Sequence, residues 1–258
     1  MEPTIDWKAH ENLFENQGDF LSVHSLEDFK AIPEKDRVWV NISDKLRPLQ
    51  PIQDQGEEVV LLADFFSANF SQIKLVASEA AYGAETLENH KLRTGAAERL
   101  IRAEKGLQSI NPALTFKITD SYRPIELQRQ YFKKAWGKFS NRGLSEDELY
   151  IAVSNVVSDP DGCPPHSTGG TVDLTLFDLE KNQELPMGTV VDDIENELAR
   201  SFHPRIQGEE QKNRLILYTV MEFAGFVNVP TEWWHYSYGD QEWALRKNQP
   251  VAFYDSII

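Results

Sequence analysis

The stretch Ser158-Asp159-Pro160-Asp161-Gly162-Cys163-Pro164-Pro165-His166-Ser167-Thr168-Gly169-Gly170-Thr171-Val172-Asp173-Leu174-Thr175-Leu176-Phe177 changes character halfway. Its first part, 158–170, is dense in proline, glycine, aspartate and serine and reads as a loop. Its second part alternates, with Val172, Leu174 and Leu176 on one face and Thr171, Asp173 and Thr175 on the other. That period of two predicts a strand over Thr171–Phe177, with Asp173 on the more polar face. Gly169 and Gly170 allow the chain to bend between the two parts, so that the side chains of His166 and Asp173 can meet.

Working outward, Ala96, Ala97, Leu100, Ile101 and Leu107 follow helical spacing and predict an amphipathic helix over Gly95–Leu107. Thr115–Thr119 alternates as a short strand. Pro124 suits the first turn of a further helix, which would turn Leu127, Tyr131 and Ala135 to the core. Ser145 with Glu148 is a capping-box pattern that opens a helix running to about Val156. Glu209–Ala224 is another helix, stopped by Gly225. Phe226–Val229 and Trp233–Tyr238 read as strands joined by a turn at Pro230 and Thr231. Upstream, Val38–Ile42 is expected to be a short strand and Arg47–Glu58 a loop. Helices and strands are interspersed, and several strand pairs lie close in sequence. The expected fold is therefore α+β: a single domain with a central antiparallel sheet flanked by helices.

The 258 residues suffice for one large domain with a buried core. A formal net charge of −15 opposes binding to nucleic acid or to an anionic membrane surface, but not to a cation or a small zwitterion. No apolar run is long enough to predict a membrane span. The single cysteine, Cys163, rules out an intramolecular disulfide and a cysteine-based zinc finger. The acidic N-terminus lacks the pattern of a secretory leader, so a cytoplasmic location is expected.

A catalytic zinc takes three ligands drawn from His, Asp and Glu and leaves one position for water. With only six histidines in the chain, His166, Asp173 and His235 are the natural candidates. Glu232 stands nearby as a general base. Residues three apart on a regular strand face opposite ways, so Glu232 and His235 share a site only if the strand is kinked or Glu232 precedes it. On residue types alone other readings stay open. A loop histidine is more often a surface or hydrogen-bonded group than a ligand, Asp173 can face water, and Arg123 by itself reads first as a surface residue at a helix start. Asp192 beside Asp193 fits ordinary charge complementarity at a helix terminus. Cys163, in a Cys-x-x-His spacing with His166, would as a fourth ligand close the site.

Four segments, in order, carry a resemblance. Pro164–Leu176 resembles the Ser-x-His-x-x-Gly-x-Ala-x-Asp signature of the zinc D-alanyl-D-alanine dipeptidases and related carboxypeptidases. Glu232-Trp233-Trp234-His235 is similar to their Glu-x-Trp-His, and Asp120-Ser121-Tyr122-Arg123-Pro124 to their Asp-x-Tyr-Arg-Pro. Pro186-Met187-Gly188-Thr189 with Asp192, and Ser201-Phe202-His203, together resemble one further stretch typical of the dipeptidase branch. The resemblance implies one Zn2+ per chain on His166, Asp173 and His235, at one end of the sheet. It implies Glu232 as the group that activates water and protonates the leaving amine, and Arg123 as the cation that stabilises the oxyanion. Asp192 would hold the substrate ammonium. The implied reaction is hydrolysis of D-Ala-D-Ala or a similar short D-amino-acid dipeptide, linked to peptidoglycan and the cell wall. The family is known from both cytoplasm and periplasm. The alternatives are a D,D- or L,D-carboxypeptidase trimming longer peptidoglycan peptides, and a non-catalytic zinc-binding module. Two positions depart from the signature, Pro164 for its serine and Thr171 for its alanine. Residues 1–92 are expected to form an N-terminal extension packed on a catalytic core of residues 93–258.

Overall fold

A computed structural model describes residues 5–15, 20–21, 23–77 and 89–257. Among them, the strands in chain order are β1 (Val59–Leu61), β2 (Lys74–Leu75), β3 (Lys91–Arg93), β4 (Leu114–Asp120), β5 (Thr171–Asp178), β6 (Gln183–Glu184), β7 (Val227–Asn228) and β8 (His235–Ser237). The α-helices are α1 (Leu26–Ala31), α2 (Leu62–Ala68), α3 (Thr94–Ile110), α4 (Ile125–Phe139), α5 (Glu146–Ser154), α6 (Gly208–Ala224) and α7 (Gln241–Arg246). The architecture is α+β, as the interspersed pattern predicts.

The main sheet runs β2-β4-β5-β8-β7, with β6 on β5. Every pairing in it is antiparallel except β2 with β4, which is parallel and makes that edge mixed. The alternation read in the sequence sets the packing. Phe116 and Ile118 of β4 and Val172, Leu174 and Leu176 of β5 are fully buried in one core with Leu100 and Leu107 of α3 and Leu217 and Val220 of α6. Burying each such side chain contributes about 1.5–3 kcal/mol as an upper figure. Asp173, between Val172 and Leu174, points to the other face.

Local signals fix several boundaries. Ser145 and Glu148 form the predicted capping box at the start of α5. Gly225 ends α6 in the left-handed conformation, φ +101°. α4 differs from its predicted packing: Leu127, Tyr131 and Ala135 are only half-buried, while Gln128 and Phe139 are buried. This helix packs on α5 around a small cluster of Phe139, Leu149 and Val153, apart from the main core.

One upstream expectation is corrected and one is met in the main. Val38–Ile42 is no strand: a 3-10 helix spans Glu34–Trp39, and only Val40 makes an isolated bridge, to Leu21. Arg37 holds this tight turn by donating to the carbonyls of Ile32, Lys30 and Leu245. Arg47–Glu58 is largely irregular as expected, but begins with a 3-10 turn, Arg47–Leu49. Phe29, Val40, Ile42 and Leu46 bury themselves with Leu245 of α7, which joins the N-terminal region to the C-terminal one. No helix among the described residues is long and apolar enough to cross a membrane.

Candidate metal centre

The sheet delivers the candidate site from three adjacent strands. Asp120, at the end of β4, lies opposite Asp173 in β5 after a register shift, and Asp173 lies opposite His235 in β8. Neighbours in a ladder present side chains to the same face, so these three converge at one end of the sheet. His166 arrives from the preceding loop, in the 3-10 turn Pro165–Thr168. Gly169, at φ +72°, reverses the chain after that turn. At Gly170 a Cβ would come within 2.1 Å of the Tyr238 carbonyl oxygen, so β5 can begin beside β8 only without a side chain there.

His166, Asp173 and His235 each present a ligand atom, all within 4.8 Å of one another, and all three residues are buried. Asp173 Oδ2 is 3.2 Å from His166 Nε2, and Asp173 Oδ1 is 2.9 Å from His235 Nδ1. The ligand–ligand edge of a tetrahedral zinc site with bonds of about 2.0–2.1 Å is about 3.3 Å, close to both distances. The Ser121 carbonyl, which can only accept, takes a hydrogen bond from His166 Nδ1 at 2.7 Å. With Nδ1 engaged as a donor, Nε2 is the ring nitrogen that points at the carboxylate and is the one available to a cation. Despite its 2.9 Å contact, Asp173 Oδ1 has no hydrogen bond of acceptable geometry among the described residues. An orphaned buried carboxylate oxygen between two imidazoles fits a cation held by all three groups.

Charge on these groups is strongly coupled. Burial works against ionising Asp173, but the adjacent His166 and His235 rings override it and bring its pKa well below the usual carboxylate value. Burial would lower the pKa of His235, yet Asp173 raises it to about 9. Glu232 is pushed up by burial, with Asp173 adding to the rise and His235, His166 and Arg123 opposing it.

Glu232 reaches the site because it precedes the strand. The turn from Val229 to Trp234 is closed by Glu232 N donating to Val229 O (3.0 Å) and His235 N donating to Glu232 O (3.2 Å). The predicted strand Trp233–Tyr238 is therefore shortened to His235–Ser237, and the parity conflict between Glu232 and His235 disappears. Glu232 Oε2 is 3.9 Å from His235 Nδ1. Asn228 fixes the turn by donating from Nδ2 to the carbonyls of Glu232 and His235, each at 2.9 Å. Ser201 donates to the Asn228 side-chain oxygen and, through its backbone N, to Pro230 O.

Arg123 is held rigidly. Its guanidinium pairs with Asp120 and donates to Gln128 Oε1 at 2.9 Å, and its backbone N donates to His166 O at 3.0 Å. Its Nε is buried with no acceptor among the described residues. Burial alone would lower its pKa; Asp120 raises it, so it stays charged.

A cavity of about 90 Å³ joins the groups, lined by Arg123, His166, Asp173, Asp192, Glu232 and His235 together with Gln128, Pro164 and residues 156–158. Asp192 sits at its mouth, exposed, in a left-handed conformation at φ +65°. Dehydration and then repulsion from Asp173, Asp120 and Glu232 raise its pKa to about 7, against Arg123. Solvent access weakens the dehydration share. A larger cavity, about 760 Å³, lies between His10, Trp39 and Tyr218 and contains none of these residues.

All six sequence-predicted residues thus line one cavity. Cys163 does not: its Sγ lies 3.5 Å from Asp255 Oδ1 and 3.4 Å from Ser256 Oγ. His203 accepts from Arg205 N, and its Nε2 lies 4.0 Å from Glu197 Oε2; it does not line this cavity. The sequence reading gave no role to Asp120, Ser121, Gln128 or Asn228. The first two lie inside the Asp-Ser-Tyr-Arg-Pro segment; Gln128 and Asn228 carry no sequence signal of their own.

The peptidase M15 family, D-ala-D-ala dipeptidase, matches residues 87–254. The chain belongs to the D-Ala-D-Ala dipeptidase family. A D-alanyl-D-alanine dipeptidase of Synechocystis sp. is 30% identical over 240 residues, covering 80% of this chain and 94% of that protein. This is more of the chain than residues 87–254 provide, so family likeness extends into the N-terminal region. A D-alanyl-D-alanine dipeptidase of Escherichia coli is 32% identical over 123 residues, covering 48% of this chain and 54% of that protein. The solved LdcB LD-carboxypeptidase aligns over 90% of each chain with a TM-score of 0.42 and 13% identity. The departure at Thr171 from the dipeptidase signature has a local partner in this chain: its hydroxyl contacts Ser237 Oγ at 3.0 Å and donates to Asp240 Oδ2 at 3.1 Å.

Proposed function

We propose that the chain is a zinc metallopeptidase that hydrolyses D-Ala-D-Ala or a similar short D-amino-acid dipeptide. The observation that carries this reading is the convergence of His166, Asp173 and His235 with Glu232 and Arg123 on one small cavity. His166, Asp173 and His235 would hold the metal. Zinc bound there would supply Lewis acidity, polarising the scissile carbonyl and making water easier to deprotonate.

The chain's own groups do the rest. Glu232, its pKa raised by burial, accepts a proton from the attacking water and returns it to the leaving amine. Arg123, fixed by Asp120 and Gln128, presents a buried cation to the oxygen on which negative charge develops. Ser121 fixes the His166 ring through its carbonyl. Asp192, at the mouth, suits a substrate ammonium, which would in turn favour its ionised form.

The test is amino-acid release from D-Ala-D-Ala, L-Ala-L-Ala and a D-Ala-D-Ala-ended pentapeptide, before chelation, after it, and after zinc is restored. Zinc-restorable cleavage confined to the D,D-dipeptide is expected. Cleavage of the pentapeptide would move the protein to the carboxypeptidases. Failure on all three with one zinc per chain would leave a metal-binding module.

A further inference from the structure

The segment Asp44–Gln50 of the N-terminal region is bonded at one end to the loop beside the site and at the other to α7 and the residues that follow it. Asp44 and Arg47 are both buried, with Asp44 Oδ1 2.7 Å from an Arg47 terminal nitrogen. The other oxygen, Asp44 Oδ2, accepts a hydrogen bond from Asp159 N at 2.9 Å. Asp159 adjoins Ser158, whose carbonyl accepts from Gln128 Nε2 at 2.7 Å. Gln128 Oε1 in turn accepts from Arg123. An unbroken series of polar contacts therefore runs from Asp44 to the guanidinium that faces the cavity, and Val157 and Ser158 are themselves cavity wall.

The other end of the segment is anchored as firmly. Gln241 of α7 donates to Gln50 O at 2.6 Å, and Gln50 donates to the carbonyls of Gln249 and Pro250. Arg47 is surrounded by Asp44, Asp240 and Glu242, which keep it charged in spite of its burial. A buried ion pair is weak evidence for stability, and geometric specificity is the better-attested use of one. Here the geometry it fixes is the loop 157–162, which is otherwise rich in proline, glycine and aspartate and has few apolar anchors of its own.

We propose that Asp44 is a positioning residue for catalysis. Braced by Arg47, it holds Asp159 and Ser158 so that Gln128 can fix Arg123 at the oxyanion position. The N-terminal region then completes the catalytic site through this contact. The inference rests on the proposed peptidase reading for its kinetic part only.

The experiment compares wild type, Asp44→Ala, Gln128→Ala and the combination. It measures kcat and KM on D-Ala-D-Ala, zinc content, and amide hydrogen exchange of peptides covering 157–163. Should Asp44→Ala not fold because Arg47 is left unpaired, Asp44→Ala with Arg47→Met removes both charges. Expected are faster exchange at 157–163 with β5 unchanged, about one zinc per chain, and a fall in kcat of about tenfold with little change in KM. In the Gln128→Ala background the same substitution should lower kcat by less than about twofold, because both act through one path. Unchanged exchange, unchanged kcat, or losses that multiply fully would overturn the inference. Wild type that releases no alanine would count against the peptidase reading, and the exchange measurement would then decide on Asp44 by itself.

Discussion

Asp173 and His235 stand directly opposite each other across the β5–β8 ladder, with Asp173 Oδ1 2.9 Å from His235 Nδ1. Their closeness is a consequence of strand register, and the carboxylate oxygen has no well-formed hydrogen bond of its own among the described residues. Asp173→Ala should therefore leave the fold intact by circular dichroism while reducing zinc, measured by atomic emission, from about one per chain to a small fraction. A full complement of zinc in that variant would remove Asp173 from the ligand set.

Metal uptake should be coupled to protons in a definite direction. His235 has its pKa raised to about 9 by Asp173, so near neutral pH zinc must expel that proton. Apparent affinity should fall about tenfold for each pH unit below that value on account of this proton alone. Calorimetry in buffers of different ionisation enthalpy should record about one proton released from this group. In the metal-free protein the raised pKa contributes stability that is complete below the ordinary histidine value of about 6.5. That contribution is lost as pH rises through about 9, so the melting temperature of metal-free protein should drop across that interval.

Glu232 lies in the turn before β8, beside the ligand candidates yet outside their cluster. Glu232→Gln should keep zinc and fold while lowering kcat by roughly 10²–10⁴-fold, the usual worth of a general acid–base group. Loss of the metal in this variant would mean that Glu232 is a ligand.

Arg123→Lys keeps the charge but gives up the fork that engages Asp120 and Gln128 together. We expect kcat to fall by about 10²–10³-fold with a smaller change in KM, because the interaction is strongest with the charge that develops in the transition state. A change confined to KM would assign Arg123 to ground-state binding.

Asn228 offers no ligand atom and does not line the cavity of about 90 Å³, yet its amide holds the carbonyls of Glu232 and His235. Asn228→Ala should destabilise the protein by about 1–3 kcal/mol, as buried carbonyls lose their donor. It should also lower kcat through a misplaced Glu232, with zinc still bound. Denaturant unfolding together with steady-state kinetics would check both effects.

Much of the scaffold was legible before the structure because its causes are local. The period of two in Thr171–Phe177, the Ser145–Glu148 capping box and the Gly225 stop each act within a few residues, and each element appears where expected. Where a neighbour decides, the sequence misleads. Val38–Ile42 has strand-like residues, but among the described residues it pairs only through the Val40–Leu21 bridge, and its first two residues lie in the 3-10 turn Glu34–Trp39, which Arg37 ties to the end of α1. Trp233 and Trp234 read as strand, yet Asn228 holds them in a turn.

The site divides in the same way. By itself the sequence determined the chemical inventory: two histidines and an aspartate with a glutamate, an arginine and a second aspartate, in segments resembling a known family. Only the tertiary structure decided that β5 and β8 pair in the register that sets Asp173 beside His235, that Glu232 precedes its strand, and that Asp44 reaches Arg123 through Asp159, Ser158 and Gln128. Periodicity and capping depend on residues a few positions apart. Register and buried polar contacts depend on residues tens to hundreds of positions apart, whose meeting is fixed by the packing of the whole core.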